Sequence, residues 1–313
     1  MKKIPDLMEI PELPEEVIQA GLDGNLILFV GAGISMMVGL PSWGGMAWQA
    51  LVDLKDKKII NFSDMDQLKG LDAKKQLSIA MLLAEENEIS LDLTVKLKLT
   101  SVGDGVYNTL NDIGCACVTT NYDLLLSPQF HEFKKDKVKS ASVIPKECNR
   151  IQNKSKFLAK LLTEPGTVVH LHGSIKEPST MVVTTKDYLQ HYDDENVQHF
   201  LSELFDKYTI LFIGYGLEEA EILEHILRRG SAYKTADRRR FLLQGYFNSQ
   251  NLLYNSMHQY YEKSFGVHLL GFTRDQSDYK QQEEIIKNWA PKLEIRKPEL
   301  TDDLERIDEV LGL

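Results

Sequence analysis

Five consecutive apolar residues, Leu26-Ile-Leu-Phe-Val30, run directly into Gly31-Ala-Gly-Ile-Ser35. A short apolar run without alternation predicts a strand buried on both faces, the kind found in parallel sheets. The glycines let the backbone turn tightly and approach a ligand where a Cβ would clash. A helix beginning just beyond would aim its free N–H groups and positive dipole end into that turn, the arrangement that cradles phosphate. The stretch therefore points to a dinucleotide site. The usual fingerprint carries a third glycine; here Met36 holds that position.

The same kind of strand recurs along the chain. Cys115–Thr119, Thr167–Leu171, Met181–Thr184, Thr209–Ile213, Arg240–Leu243 and Val267–Leu270 read as further strands. Helical spacing marks 43–54, 107–113, 196–207, 218–229, 250–263 and 278–290, with a second helical pattern inside 64–100. Gly114 is a C-terminal helix stop. The polar, lysine-rich stretch 127–156 reads as irregular. Strands alternating with helices predict an α/β fold, a Rossmann-like doubly wound parallel sheet with an inserted helical module. The expected division is an N-terminal arm at 1–20, a main domain at 21–295 with a helical insert at about 60–110, and a C-terminal helix at 296–313. In that last segment Leu300, Leu304, Ile307 and Leu311 fall on one face, either packed on the domain or forming an oligomer contact.

At 313 residues the chain is long enough for a sizeable core, and no apolar run reaches membrane-spanning length. Its first residues lack the apolar core of a signal peptide, so a cytoplasmic location is expected. The net charge of −10 argues against broad nucleic-acid binding. The basic group Arg228, Arg229, Lys234 and Arg238-Arg-Arg240 reads as a solvated loop or as a phosphate or acidic-partner contact. Three cysteines, Cys115, Cys117 and Cys148, with no CxxC pair, exclude a four-cysteine zinc ribbon. Cys115 and Cys117 are expected to be buried and inert.

Ligands of doubly wound sheets bind beyond the carboxyl ends of the strands. Four strands here end in polar or glycine-rich turns: Gly31–Ser35, Asn121–Asp123, His172–Ser174 and Gly214–Gly216. Taken singly, Asn121 suits a turn, Asp123 a helix cap and His172 a satisfied structural histidine. Converging at one sheet edge, they make a site.

The ordered set Gly31-Ala-Gly-Ile-Ser35, Gly39-Leu-Pro-Ser-Trp43, Thr120-Asn-Tyr-Asp123 and Leu171-His-Gly-Ser174 resembles the sirtuin (silent-information-regulator) family. Gly214-Tyr-Gly-Leu217 stands in the place of that family's ribose-binding turn. The resemblance covers about residues 24–230. The zinc ribbon is absent, and Ser42 and Trp43 replace the acidic and arginine residues of the deacetylases, so the chain looks like the prokaryotic, zinc-free branch that hydrolyses NAD in antiphage defence. The resemblance implies that 21–295 is an NAD-binding catalytic domain with NAD as substrate. It implies Asn121 as the residue orienting the ribose and attacking water, and His172 as general base. Gly31, Ala32 and Gly33 would take the pyrophosphate, Ile34, Ser35 and Asp123 the nicotinamide, and Pro41 and Trp43 would cover the ribose. Gly214, Tyr215 and Gly216 would meet the adenosine side. It also implies a homo-oligomer, or gating by a separately encoded ATPase, nuclease or phage-sensing protein. The alternatives are an NAD-dependent protein deacylase or ADP-ribosyltransferase, and a non-catalytic sensor of NAD or ADP-ribose.

Overall fold

The computed structural model describes residues 6–98, 105–130, 148–216, 222, 226 and 239–298. Among the described residues seven strands form one sheet: β1 (Leu26–Val30), β2 (Ala116–Thr119), β3 (Asn149–Ile151), β4 (Thr167–His170), β5 (Thr209–Ile213), β6 (Arg240–Tyr246) and β7 (His268–Thr273). Their order is β3-β4-β2-β1-β5-β6-β7, and every pairing is parallel. From β1 the chain moves to β2 on one side and later crosses to β5 on the other. The connections diverge there, which opens a crevice beyond the carboxyl ends of β1 and β5.

All five residues of β1 are buried, because period-2 alternation sends them into two cores. Ile27 and Phe29 join Val197, Phe200, Leu201 and Leu204 of α8 (Glu195–Lys207) and Tyr254 and Tyr261 of α9 (Asn251–Phe265). Leu26, Leu28 and Val30 join Val17 and Ala20 of α1 (Glu15–Leu22), Val106 and Leu110 of α6 (Val106–Ile113), and Ile285, Ile286 and Trp289 of α10 (Gln281–Trp289). At about 25 cal/mol per Å² of apolar surface, each such side chain contributes roughly 1.5–3 kcal/mol before entropy is charged against it.

Between β1 and β2 lie α2 (Ala32–Met37), α3 (Trp43–Asp56), α4 (Phe62–Leu68) and α5 (Ala73–Glu86). The last three form a small core of their own from Met46, Ala50, Leu54, Met65, Leu77, Ala80 and Ala84. Polar side chains cap each start. Ser42 accepts from the Gly45 N–H, Asn61 and Asp64 form a capping box, and Asp72 accepts from the Lys75 N–H. The helical core thus begins earlier than residue 60, while α6, which falls inside 60–110, packs on the sheet.

Several local expectations differ. Met181–Thr184 is not a strand; the Val182 N–H bonds the His172 carbonyl at 2.9 Å and the segment leads into α7 (Thr185–Tyr192). Asn149–Ile151, expected to be irregular, pairs with β4 as the edge strand; at three residues with one buried position it carries too little apolar signal to be seen. Arg240 is no part of a solvated loop. It is 5% exposed, and its guanidinium donates to the carbonyls of Phe205 and Phe265. Arg239 donates to the Asp206 carbonyl. Residues 228–238, nearly all of the expected 218–229 helix, and 299–313 of the C-terminal segment lie outside the described residues.

The turns after β1 and β5 lock together. The Gly31 N–H donates to the Ile213 carbonyl and the Gly33 N–H to the Gly214 carbonyl, both at 2.9 Å. A Cβ on Gly31 would sit 2.5 Å from the Gly214 oxygen, and one on Gly33 2.8 Å from it. Gly31→Ala is expected to destabilise the fold by about 1–3 kcal/mol, because backbone must move. Gly70→Ala, whose Cβ would meet nothing nearer than 3.9 Å, should stay within about 0.5 kcal/mol of the parent. Urea unfolding of the two variants compares them directly; equal midpoints would contradict the packing described.

Candidate active site

A cavity of about 620 Å³ opens at the crevice. Ala32, Gly33, Ser35, Pro41, Trp43, Asn121, Asp123, His172, Gly214, Tyr215 and Gly216 all line it, so the strand ends do converge. Two residues sit apart from the cavity lining. Ile34 is fully buried in the core, against the β5 turn. Gly31 meets the site only through its carbonyl, which accepts from Asn121.

The β1 turn is arranged differently from a phosphate cradle. The N–H groups of Gly31 and Gly33 are both taken by β5 and its turn. The glycines are required there by the close approach of two backbones. Of the three residues expected at the pyrophosphate, Ala32 keeps its place on the wall with its N–H outside these turn-to-turn bonds.

Four side chains interlock on the floor. Asn121 Nδ2 donates to the Gly31 carbonyl at 3.0 Å and to Ser35 Oγ at 2.9 Å. Ser35 Oγ donates to Asp123 Oδ2 at 2.7 Å. The Tyr107 hydroxyl, from α6, lies 2.8 Å from Ser35 Oγ and 3.5 Å from Asp123 Oδ1. The Leu125 N–H donates to Asp123 Oδ1 at 3.1 Å. Both carboxylate oxygens of Asp123 thus have partners within the protein, and the residue is 4% exposed. Burial raises the Asp123 pKa above the ordinary carboxylate range, with the Ser35 and Leu125 hydrogen bonds opposing it. One buried atom is left over: Asn121 Oδ1 has no hydrogen-bond partner among the described residues.

His172 stands at the end of β4, 1% exposed and on the cavity wall. Its Nε2 lies 2.8 Å from the Tyr192 hydroxyl and its Nδ1 3.4 Å from that of Tyr188. Tyr188 lines the cavity. Burial, then the neighbouring charges of His191 and Lys74, holds the His172 imidazole well below its ordinary pKa. It is therefore neutral at physiological pH, as an acceptor of protons must be. Lys74 comes from α5, its ammonium 3.8 Å from the centre of the Tyr188 ring, a cation–π contact. Trp43 sits against Tyr122 and Tyr188, with ring centres 5.9 and 6.2 Å away.

Tyr107, Lys74, Tyr122, Tyr188 and His170 were not legible as site residues. His170 lies inside β4 and holds the Asn121 loop. Arg150 Nη1 is 3.1 Å from His170 Nε2, and a guanidinium only donates, so Nε2 accepts and Nδ1–H donates to the Asn121 carbonyl at 3.0 Å. Its one sequence signal was a second histidine two residues before His172. The strand's burial had hidden it as an ordinary core position.

Burial, opposed by the Asn121 hydrogen bond and helped by the Arg150 charge, lowers the His170 pKa to about 4. Burial likewise lowers His191 to about 4. The unfolded chain, with ordinary imidazoles, binds more protons between pH ~6.5 and ~4. The stability that depends on keeping these rings neutral is present above that window and is lost as pH falls through it, by up to about 1.4 kcal/mol per pH unit for each ring. Denaturant midpoints should therefore fall steadily from pH 7 to 4.5, with a smaller slope in His170→Gln; a flat profile would contradict the burial of both rings.

Comparison with known proteins agrees with this architecture. Residues 116–270 match the SIR2-like domain family. The chain is 27% identical over 220 residues to a protein of Enterococcus faecium named NAD(+) hydrolase ThsA, covering 65% of this chain and 39% of that protein. It is 26% identical over 235 residues to a protein of the same name from Bacillus cereus (strain MSX-D12), covering 71% of this chain and 43% of that protein. The chain thus spans about two fifths of the length of these curated relatives. The matched family begins at β2, and β1 with its glycine turn completes the same sheet. In its matched domain, its parallel α/β sheet and its relatives, the chain is similar to the sirtuin-like (SIR2-like) family.

Proposed function

We propose that the chain is an NAD glycohydrolase, cleaving NAD to nicotinamide and ADP-ribose. The observation that carries this reading is the pairing, on one cavity at the sheet's switch point, of a neutral buried imidazole with a buried amide oxygen that has no partner. The names of the two relatives, both NAD(+) hydrolases, support it.

Hydrolysis breaks the bond between C1′ of the ribose and the nicotinamide nitrogen. The bonding pair leaves with nicotinamide, which departs neutral, and an oxocarbenium-like centre develops on the sugar. Water bonds to C1′ and gives up a proton. Asn121 Oδ1 accepts from a ribose hydroxyl or from that water and so orients it. His172 takes the proton; its Nε2 lies at the Tyr192 hydroxyl and its Nδ1 at that of the cavity-lining Tyr188. Trp43, Tyr122 and Tyr188 supply π faces that suit a cationic centre and exclude water.

The family resemblance extends the reading to a cytoplasmic antiphage-defence effector that depletes NAD. Such an enzyme needs restraint in a healthy cell, by homo-oligomerisation or by a separately encoded partner.

Incubation of the protein with NAD, alone and with candidate partners, and identification of products by mass tests the proposal. Nicotinamide and ADP-ribose are expected. His172→Ala and Asn121→Ala should each lower the rate at least about 100-fold, the scale of a positioned base, while the far-UV spectrum and cooperative unfolding persist. Undiminished cleavage in both variants, or modification of a supplied acyl-lysine peptide in place of hydrolysis, overturns it.

A further inference from the structure

The floor network contains more hydrogen-bond information than its distances alone. A serine hydroxyl offers one hydrogen and two lone pairs. At Ser35 the hydrogen goes to Asp123 Oδ2 at 2.7 Å, while the other oxygen of that carboxylate, Oδ1, accepts from the Leu125 N–H. The lone pairs then face Asn121 Nδ2 at 2.9 Å and the Tyr107 hydroxyl at 2.8 Å. The Asn121 amide has two hydrogens, and both have acceptors, Ser35 Oγ and the Gly31 carbonyl. An amide turned over would set its oxygen against two acceptors. Only one orientation satisfies the floor, and it leaves Oδ1 buried and unpartnered. A buried acceptor without a donor is costly, and a ligand hydroxyl can return that cost.

We infer that Ser35 and Asp123 are positioning residues for Asn121, holding its amide so that Oδ1 is the acceptor for a hydroxyl of the ligand's ribose or for the attacking water. The inference rests on the NAD reading above. It replaces two direct contacts, Ser35 and Asp123 on the nicotinamide, with an action through a third residue. Asp123, 4% exposed and bonded at both oxygens, is built for that role. Tyr107 closes the remaining lone pair of Ser35 and keeps water off it.

A binding cycle separates positioning from contact. In a His172→Ala background, where turnover of NAD is expected to be at least about 100-fold slower, NAD is titrated against the parent, Ser35→Ala, Asn121→Ala and the double variant. Asn121→Ala should weaken binding about tenfold, matching the loss of one buried hydrogen bond. Ser35→Ala alone should weaken it severalfold and add nothing once Asn121 is gone. Losses that add show Ser35 touching NAD directly and overturn the inference while leaving the NAD reading intact. A parent that binds no NAD overturns both. Asp123→Asn, isosteric with the native side chain, forms a second cycle that stands if Ser35→Ala fails to fold. It must show the same non-additivity, and additive losses there overturn the inference equally.

Discussion

Two backbones in contact at the switch point hold this site together. The turn after β1 leans on the turn after β5 so closely that the Gly33 N–H reaches the Gly214 carbonyl and no Cβ fits between them. Gly214 takes a positive φ of 61° there, and a side chain on it would strike Ile34. Because this contact sets where α2 begins, it also sets where Ser35 and the Gly31 carbonyl lie. Those are the two acceptors that hold Asn121. The polar floor is thus placed by packing of apolar and glycine positions.

The β2 and β4 ends are fixed to each other by a second device. His170 bonds the Asn121 carbonyl, Arg150 bonds His170 and the Leu124 carbonyl, and the Leu171 N–H bonds the Thr119 carbonyl. Arg150 lies on the edge strand β3. A guanidinium there ties the edge of the sheet to the loop that carries Asn121 and Asp123. The imidazole between them is kept neutral by burial, which lets one nitrogen donate while the other accepts.

Much of this was legible in the sequence, for physical reasons. Central strands of a parallel sheet are apolar throughout, so Leu26–Val30 and Thr209–Ile213 announced themselves, and their polar or glycine ends marked the crevice. Asn121 and His172 followed from that placement. What stayed hidden lacked a periodic signal. β3 is three residues long and mostly unburied, Arg240 resembles any surface arginine until its carbonyl partners are seen, and Tyr107 reads as the apolar face of a short helix. The Gly31 turn was read as a cradle because glycine permits close approach; the sequence does not say whether the approaching group is a ligand or another backbone. Lys74 and Tyr188 lie 114 residues apart, and only the packing of α5 beside α7 joins them at the cavity.

The cavity wall has a further consequence for how an anion reaches it. Among its lining residues the ionisable lysine and carboxylate are one each, Lys74 and Asp123, and the surrounding chain carries a net charge of −10. An anionic ligand of this cavity would therefore approach against the net charge of the chain as a whole. Dissolved salt, with a Debye length of about 8 Å at physiological ionic strength, screens long-range repulsion of that kind. Association of such a ligand would then quicken as ionic strength rises, opposite in sign to the electrostatic steering common at phosphate-binding proteins.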